Sequence, residues 1–91
     1  MLVIFALAAG VLAAQKQVSD DQIYDNVRRK LADDQVVKGG AMEVEVKGGI
    51  VTLRGKVETE QQKTRAAKIA HKVSGVKQVS NELEVVGKGN R

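Results

Sequence analysis

One histidine, two pairs of adjacent aspartates, two glycine pairs and a row of cations are the residues of this 91-residue chain whose types could do chemistry. His71 would serve as a general base or metal ligand only beside an orienting carboxylate or further ligands at suitable spacing, and none flanks it. It is expected as an ordinary residue on the exposed side of a helix. Asp20-Asp21 and Asp33-Asp34 lack the alternating oxygen ligands and central glycine of a calcium loop, and helix-terminal roles account for both pairs. Gly39-Gly40 and Gly48-Gly49 lack the spaced glycines and following helix of a phosphate-cradling loop. The chain contains no cysteine, which excludes a thiol nucleophile, a disulfide and a lipidated cysteine after the apolar start. The inventory therefore contains no catalytic residue, no metal site and no cofactor site, and the domain is expected not to be an enzyme.

What remains is binding chemistry. At 100° per residue, Arg65, Lys68 and Lys72 fall within about 60° of one another on a helix, away from its apolar side, and Lys63 flanks the apolar stripe. No acidic residue in the body of that helix offsets them, since Glu60 lies in its first turn. Such a row suits anionic headgroups, at on the order of 1 kcal/mol per cation. Binding of that kind is weak and salt-sensitive, and the plain alternative is a solvated helix face. Tyr24, the only aromatic outside the apolar start, stands four residues before Arg28. A local aromatic–cation contact with Arg28 accounts for it, and dipping into a headgroup region is the functional alternative. Without further aromatics there is no platform for stacked bases, so nucleic acid is not an expected partner. The balance of 15 basic against 11 acidic residues gives a net charge of +4, a mild bias that permits anionic partners without requiring one.

The elements that must position these residues follow from capping and periodicity. Ser19-Asp20-Asp21-Gln22 is a capping box opening a helix with Ile23, Val27 and Leu31 in one stripe, ending near Asp33. Met42 to Lys47 alternates as a half-buried strand, Gly48-Gly49 is a two-residue hairpin turn, and Ile50 to Val57 is the returning strand, with Val51, Leu53, Gly55 and Val57 inward. Thr59-Glu60-Gln61-Gln62 opens a second helix with Ala66, Ile69, Ala70 and Val73 on one face, closed by Gly75. A third strand from about Lys77 to Val86 turns Val79, Leu83 and Val85 inward. The expected fold is α+β: a two-layer α-β-β-α-β domain, two helices packed on one face of a small three-stranded mixed sheet with the second strand central. Glu43, Glu45, Lys47, Arg54, Lys56, Glu82 and Glu84 then share the other face, and cross-strand ion pairing is preferred there over a ligand surface.

Gly49-Ile50-Val51-Thr52-Leu53-Arg54-Gly55-Lys56-Val57, followed by a helix and by Val73-Ser74-Gly75-Val76-Lys77-Gln78-Val79-Ser80-Asn81-Glu82-Leu83, resembles the BON domain of bacteria. That family carries a G-V-V-T-L-x-G-x-V strand and a V-x-G-V-x-x-V-x-N-x-L helix end and third strand. Gly49, Gly55, Gly75 and Asn81 stand at its structural motif positions. The likeness covers residues 19 to 86 and departs from the pattern at Ser80, where valine is common. It implies an exported protein of the periplasm or outer membrane that binds phospholipid surfaces or other envelope components in osmotic or envelope stress. Family members often occur in tandem, whereas this chain has one copy, and related domains are linked to chaperone-like and potassium-binding roles. The resemblance therefore implies a non-enzymatic, peripheral binder of anionic phospholipid surfaces. A periplasmic protein-interaction or chaperone-like domain, with another envelope protein as partner, is the alternative.

Residues 1–14 carry no charge and suit the apolar region of a secretory signal peptide, with cleavage after Ala13 or Ala14, although Met1 is not followed by the usual basic residues. A short uncleaved anchor and a buried apolar helix are the alternatives. Residues 15–18 then form a linker, 19–86 the domain, and 87–91 a disordered tail.

Overall fold

A computed structural model describes residues 18–38 and 42–87. The expected signal peptide, most of the linker, the Gly39-Gly40 pair and all of the expected tail except Gly87 lie outside the described residues. Five elements follow one another: α1 (Asp20–Asp33), β1 (Glu43–Lys47), β2 (Ile50–Val57), α2 (Glu60–His71) and β3 (Gln78–Val85). The sheet order is β1-β2-β3, with β1 antiparallel and β3 parallel to the central β2. This is the expected α+β architecture.

Local chemistry starts each helix where the sequence places it. Ser19 Oγ accepts from the Gln22 N–H at 3.1 Å, and Gln22 Oε1 accepts from the Ser19 N–H at 3.4 Å. Thr59 and Gln62 repeat the arrangement at α2, and each such cap is worth about 1 kcal/mol. Gln62 also accepts from the Glu58 N–H at 2.7 Å and donates to the Val36 carbonyl at 3.0 Å, which fastens the start of α2 to the loop after α1. α1 stops because Asp34 folds back on the chain. Its Oδ1 accepts from the N–H groups of Val36 and Val37 at 2.9 and 3.0 Å, a side-chain-closed turn that competes with further helix and drops Val37 into the core at 4% exposure.

Gly48 and Gly49 have φ of +58° and +82°, the pair of positive values a two-residue hairpin turn needs, and the register places Lys47 opposite Ile50. Within the parallel pair, the Val86 N–H donates to the Val57 carbonyl at 2.8 Å while Val57 is paired with Val85. That phase turns the backbone polar groups of even-numbered β3 residues toward β2 and those of Val79, Asn81, Leu83 and Val85 toward the open edge.

The core is one cluster. Ile23, Val27 and Leu31 from α1, Val51, Leu53 and Val57 from β2, Ala66 and Ala70 from α2, and Leu83 from β3 are all buried, with Val37 and Val73 closing its ends. Fully burying each Ile, Leu or Val contributes about 1.5–3 kcal/mol. The alanines of α2 let that helix lie close over β2 and β3, while α1 covers β1. The opposite face of the sheet is exposed, as its alternation in the sequence requires.

Candidate functional site

Charge is the only chemistry that gathers on this surface, and the structure redistributes it among the candidate residues. α2 presents Arg65, Lys68 and Lys72 away from the buried Ala66 and Ala70, as its periodicity demands. Arg65, however, is turned toward α1. Its Nε lies 2.9 Å from both carboxylate oxygens of Asp34, and its second guanidinium nitrogen lies 2.8 Å from Asp34 Oδ2. The guanidinium beside Asp34 is the largest cause of a carboxyl pKa lowered to about 2, aided by the Val37 and Val36 N–H groups and opposed by partial desolvation. The same pair raises the Arg65 pKa. The Asp34 side chain is only 11% exposed, against 49% for Arg65, so the arginine closes over a carboxylate already held by its own turn. From sequence, Asp34 has a helix-terminal role only. Its partner lies 31 residues away, beyond the reach of any local pattern.

Lys68 and Lys72 are exposed, and no acidic side chain pairs with either among the described residues. They stand one helical turn apart. Thr64, Ala67, His71 and, from β3, Val79 line a shallow depression with them. Lys63 is half-buried on the β3 side of the helix, where its carbonyl accepts from Asn81 Nδ2 at 2.9 Å. The four cations that the sequence grouped together are therefore not equivalent: Arg65 is engaged by Asp34, Lys63 is half-buried, and Lys68 and Lys72 are exposed.

Tyr24 makes the local contact considered for it. Its hydroxyl accepts from an Arg28 guanidinium nitrogen at 2.9 Å, and the guanidinium carbon lies 5.6 Å from the ring centroid. Both partners belong to α1, and nothing joins the ring to the α2 lysines. His71 is exposed at the end of α2. Among the described residues no group of three or more His, Cys, Asp or Glu side chains is arranged to hold a metal ion, and no helix is long and apolar enough to cross a membrane.

On the outer sheet face, Arg54 donates to Glu45 at 2.9 Å and to Glu82 at 3.2 Å, bridging all three strands from the central one. It lowers the Glu45 pKa, chiefly through that hydrogen bond, and its own is raised in return. These partners are each about half exposed, where pairs of this kind contribute little to stability. The centre of this face is therefore ion-paired across all three strands.

The motif residues hold the frame. The Gly48 and Gly49 N–H groups donate to the two carboxylate oxygens of Asp20 at 2.8 and 3.1 Å, which pins the hairpin turn to the first residue of α1. The Gly49 carbonyl accepts from the Lys77 N–H at 2.8 Å. Gly75, at φ +93°, lets the loop after α2 pass against Val18 and Ile23. Gly55 is half-buried in β2 opposite Leu83. Asn81 ties its amide nitrogen to α2 while its Oδ1 accepts from the Leu83 N–H at 3.3 Å, covering one of the outward-facing donors of β3.

Comparison with known proteins adds two findings. The sequence model of one family, described as the BON domain, matches residues 19–87. A protein of Escherichia coli (strain K12) named osmotically-inducible protein Y is 37% identical over 65 residues, which cover 71% of this chain and 32% of that protein. The chain thus spans about a third of the length of that curated relative.

Proposed function

The chain belongs to the BON domain family, and from that premise we propose that it is a non-enzymatic envelope module that attaches peripherally to anionic phospholipid surfaces. The observation that carries this reading is the exposed lysine pair of α2, Lys68 and Lys72, with no acidic partner among the described residues. Two ammonium groups on one side of a rigid helix offer a fixed surface to phosphates while the domain keeps its fold. A place in the bacterial periplasm and a role in osmotic or envelope stress belong to the same proposal. They are supported by the family, by the likeness to osmotically-inducible protein Y, and by the uncharged composition of residues 1–14.

Affinity on this reading is modest. Each cation near an anionic surface contributes on the order of 1 kcal/mol, so two give no stable attachment by themselves, and further contacts or multiple copies supply the rest. Cosedimentation of the domain with neutral and anionic vesicles tests it. Binding to the anionic vesicles that weakens with salt and is lost on Lys68→Glu/Lys72→Glu supports the reading. Equal recovery with both vesicle types, or none with either, refutes it. Cell fractionation of the full chain tests the periplasmic address.

A further inference from the structure

We propose that Asp34 acts as a built-in competitor that withholds Arg65 from external anions, so that the anion-contacting surface of α2 is the Lys68–Lys72 pair alone. This rests on the anionic-surface reading above and sharpens which side chains meet the phosphates. The geometry separates the cations. Arg65 is engaged by both oxygens of Asp34 at 2.8–2.9 Å, which occupies the fork that would otherwise grip a phosphate. Asp34 itself is fixed by the Val36 and Val37 N–H groups, so it cannot follow Arg65 outward without giving up its turn. A phosphate that captured Arg65 would have to break its contacts of 2.8–2.9 Å to a carboxylate already held in place, so it competes with an acceptor that is always present. Lys68 and Lys72 face no such competitor. As neighbours four residues apart on one helix face they are close enough to share one phosphate group, and Ala67 and Val79 provide an apolar floor beside them. The ligand class is a phosphate headgroup presented at a lipid surface, met by two ammonium groups.

The measurement is the affinity of the full chain and its variants for phosphatidylglycerol-containing vesicles in a phosphatidylcholine background, titrated from low to physiological salt. Lys68→Ala and Lys72→Ala are each expected to weaken binding about fivefold, the equivalent of one surface cation, and to flatten the salt dependence. Asp34→Asn keeps an oxygen for the Val36 and Val37 amides but drops the charge. It is expected to tighten binding about fivefold by releasing one cation, and the double variant Asp34→Asn/Arg65→Ala is expected to return to the starting affinity. Circular dichroism confirms that each variant is folded, and Asp34→Ser, which also keeps an oxygen for those amides, takes the place of Asp34→Asn if that variant unfolds. A loss in the folded Asp34→Asn/Arg65→Ala variant equal to that of Lys68→Ala overturns the inference while leaving the membrane reading intact, as does a folded Asp34→Asn with no gain. Failure of the unaltered protein to bind anionic vesicles overturns the membrane reading, and this inference with it.

Discussion

Gly75→Ala is the substitution whose effect can be worked furthest from the geometry. The backbone at Gly75 has φ +93°, a region that costs a residue with a Cβ about 1–2 kcal/mol. An added methyl group would also stand 2.9 Å from Val18 Cβ, 3.1 Å from Ile23 Cδ1 and 3.2 Å from Ile23 Cγ1. Ile23 is 1% exposed in the centre of the core, and the Val18 atom is a branch point next to the backbone, so neither can swing aside. Overpacking of this kind costs about 1–3 kcal/mol more, for a total of roughly 2–5 kcal/mol. A domain of about 70 residues has on the order of 3–10 kcal/mol of stability in all. With a urea dependence near 1 kcal/mol per molar, the unfolding midpoint should fall by roughly 2–5 M, close to complete loss of the folded state. Gly48→Ala is the control. Gly48 has φ +58° and nothing within 4 Å of an added Cβ, so only the backbone cost of about 1–2 kcal/mol applies. Urea titration followed by circular dichroism measures both. Pairing Gly75→Ala with Val18→Ala should recover part of the loss, because the clash and its relief are coupled. Equal midpoints for the two glycine variants would refute the assignment of Gly75 to a close approach and reduce it to an ordinary helix-ending glycine.

Other outcomes follow from the side-chain clasps. Asp20→Ala removes two charge-assisted bonds to the hairpin turn at 2.8 and 3.1 Å and should destabilise the domain by about 2–4 kcal/mol, with faster hydrogen exchange at Gly48 and Gly49 as its local sign. The Asp34 carboxyl, lowered from 3.8 to about 2 in the folded chain, stabilises the domain above the unfolded pKa. That contribution is lost as the pH falls from about 4 through 2. The difference in melting temperature between the native chain and Asp34→Asn should therefore be constant above pH 5 and shrink steadily below pH 4. Arg54→Ala should leave the melting temperature almost unchanged despite breaking two ion pairs, because its partners are half exposed, and thermal melts at low and high salt check this.

Much of the fold was legible because its determinants are local. Two capping boxes, one Gly-Gly turn and two helical stripes fix where elements begin, end and face, and those signals lie within a few residues of one another. The placement of β3 parallel to β2 followed from the crossover rule. The site was less legible because its electrostatics are tertiary. Arg65, Lys68 and Lys72 share a helix face in projection, yet the acceptor that separates Arg65 from the others sits 31 positions away at the end of α1. Asp20 looked like a helix-dipole residue and proves also to anchor a turn 28 residues on. Asn81 was visible as a motif position without a visible reason. An asparagine in a run of alternating apolar residues, on the side of the strand that faces a helix, is the one signal that could have pointed to a half-buried tie.

That tie bears on how the domain behaves in company. Among the described residues the three-stranded sheet has two unpaired margins, each a template on which a neighbouring chain could assemble. On β3 the Asn81 Oδ1 already occupies the Leu83 N–H, so an incoming strand finds one of its anchoring donors taken. The same asparagine that fastens strand to helix thus also takes one hydrogen-bond donor off the outer margin of β3.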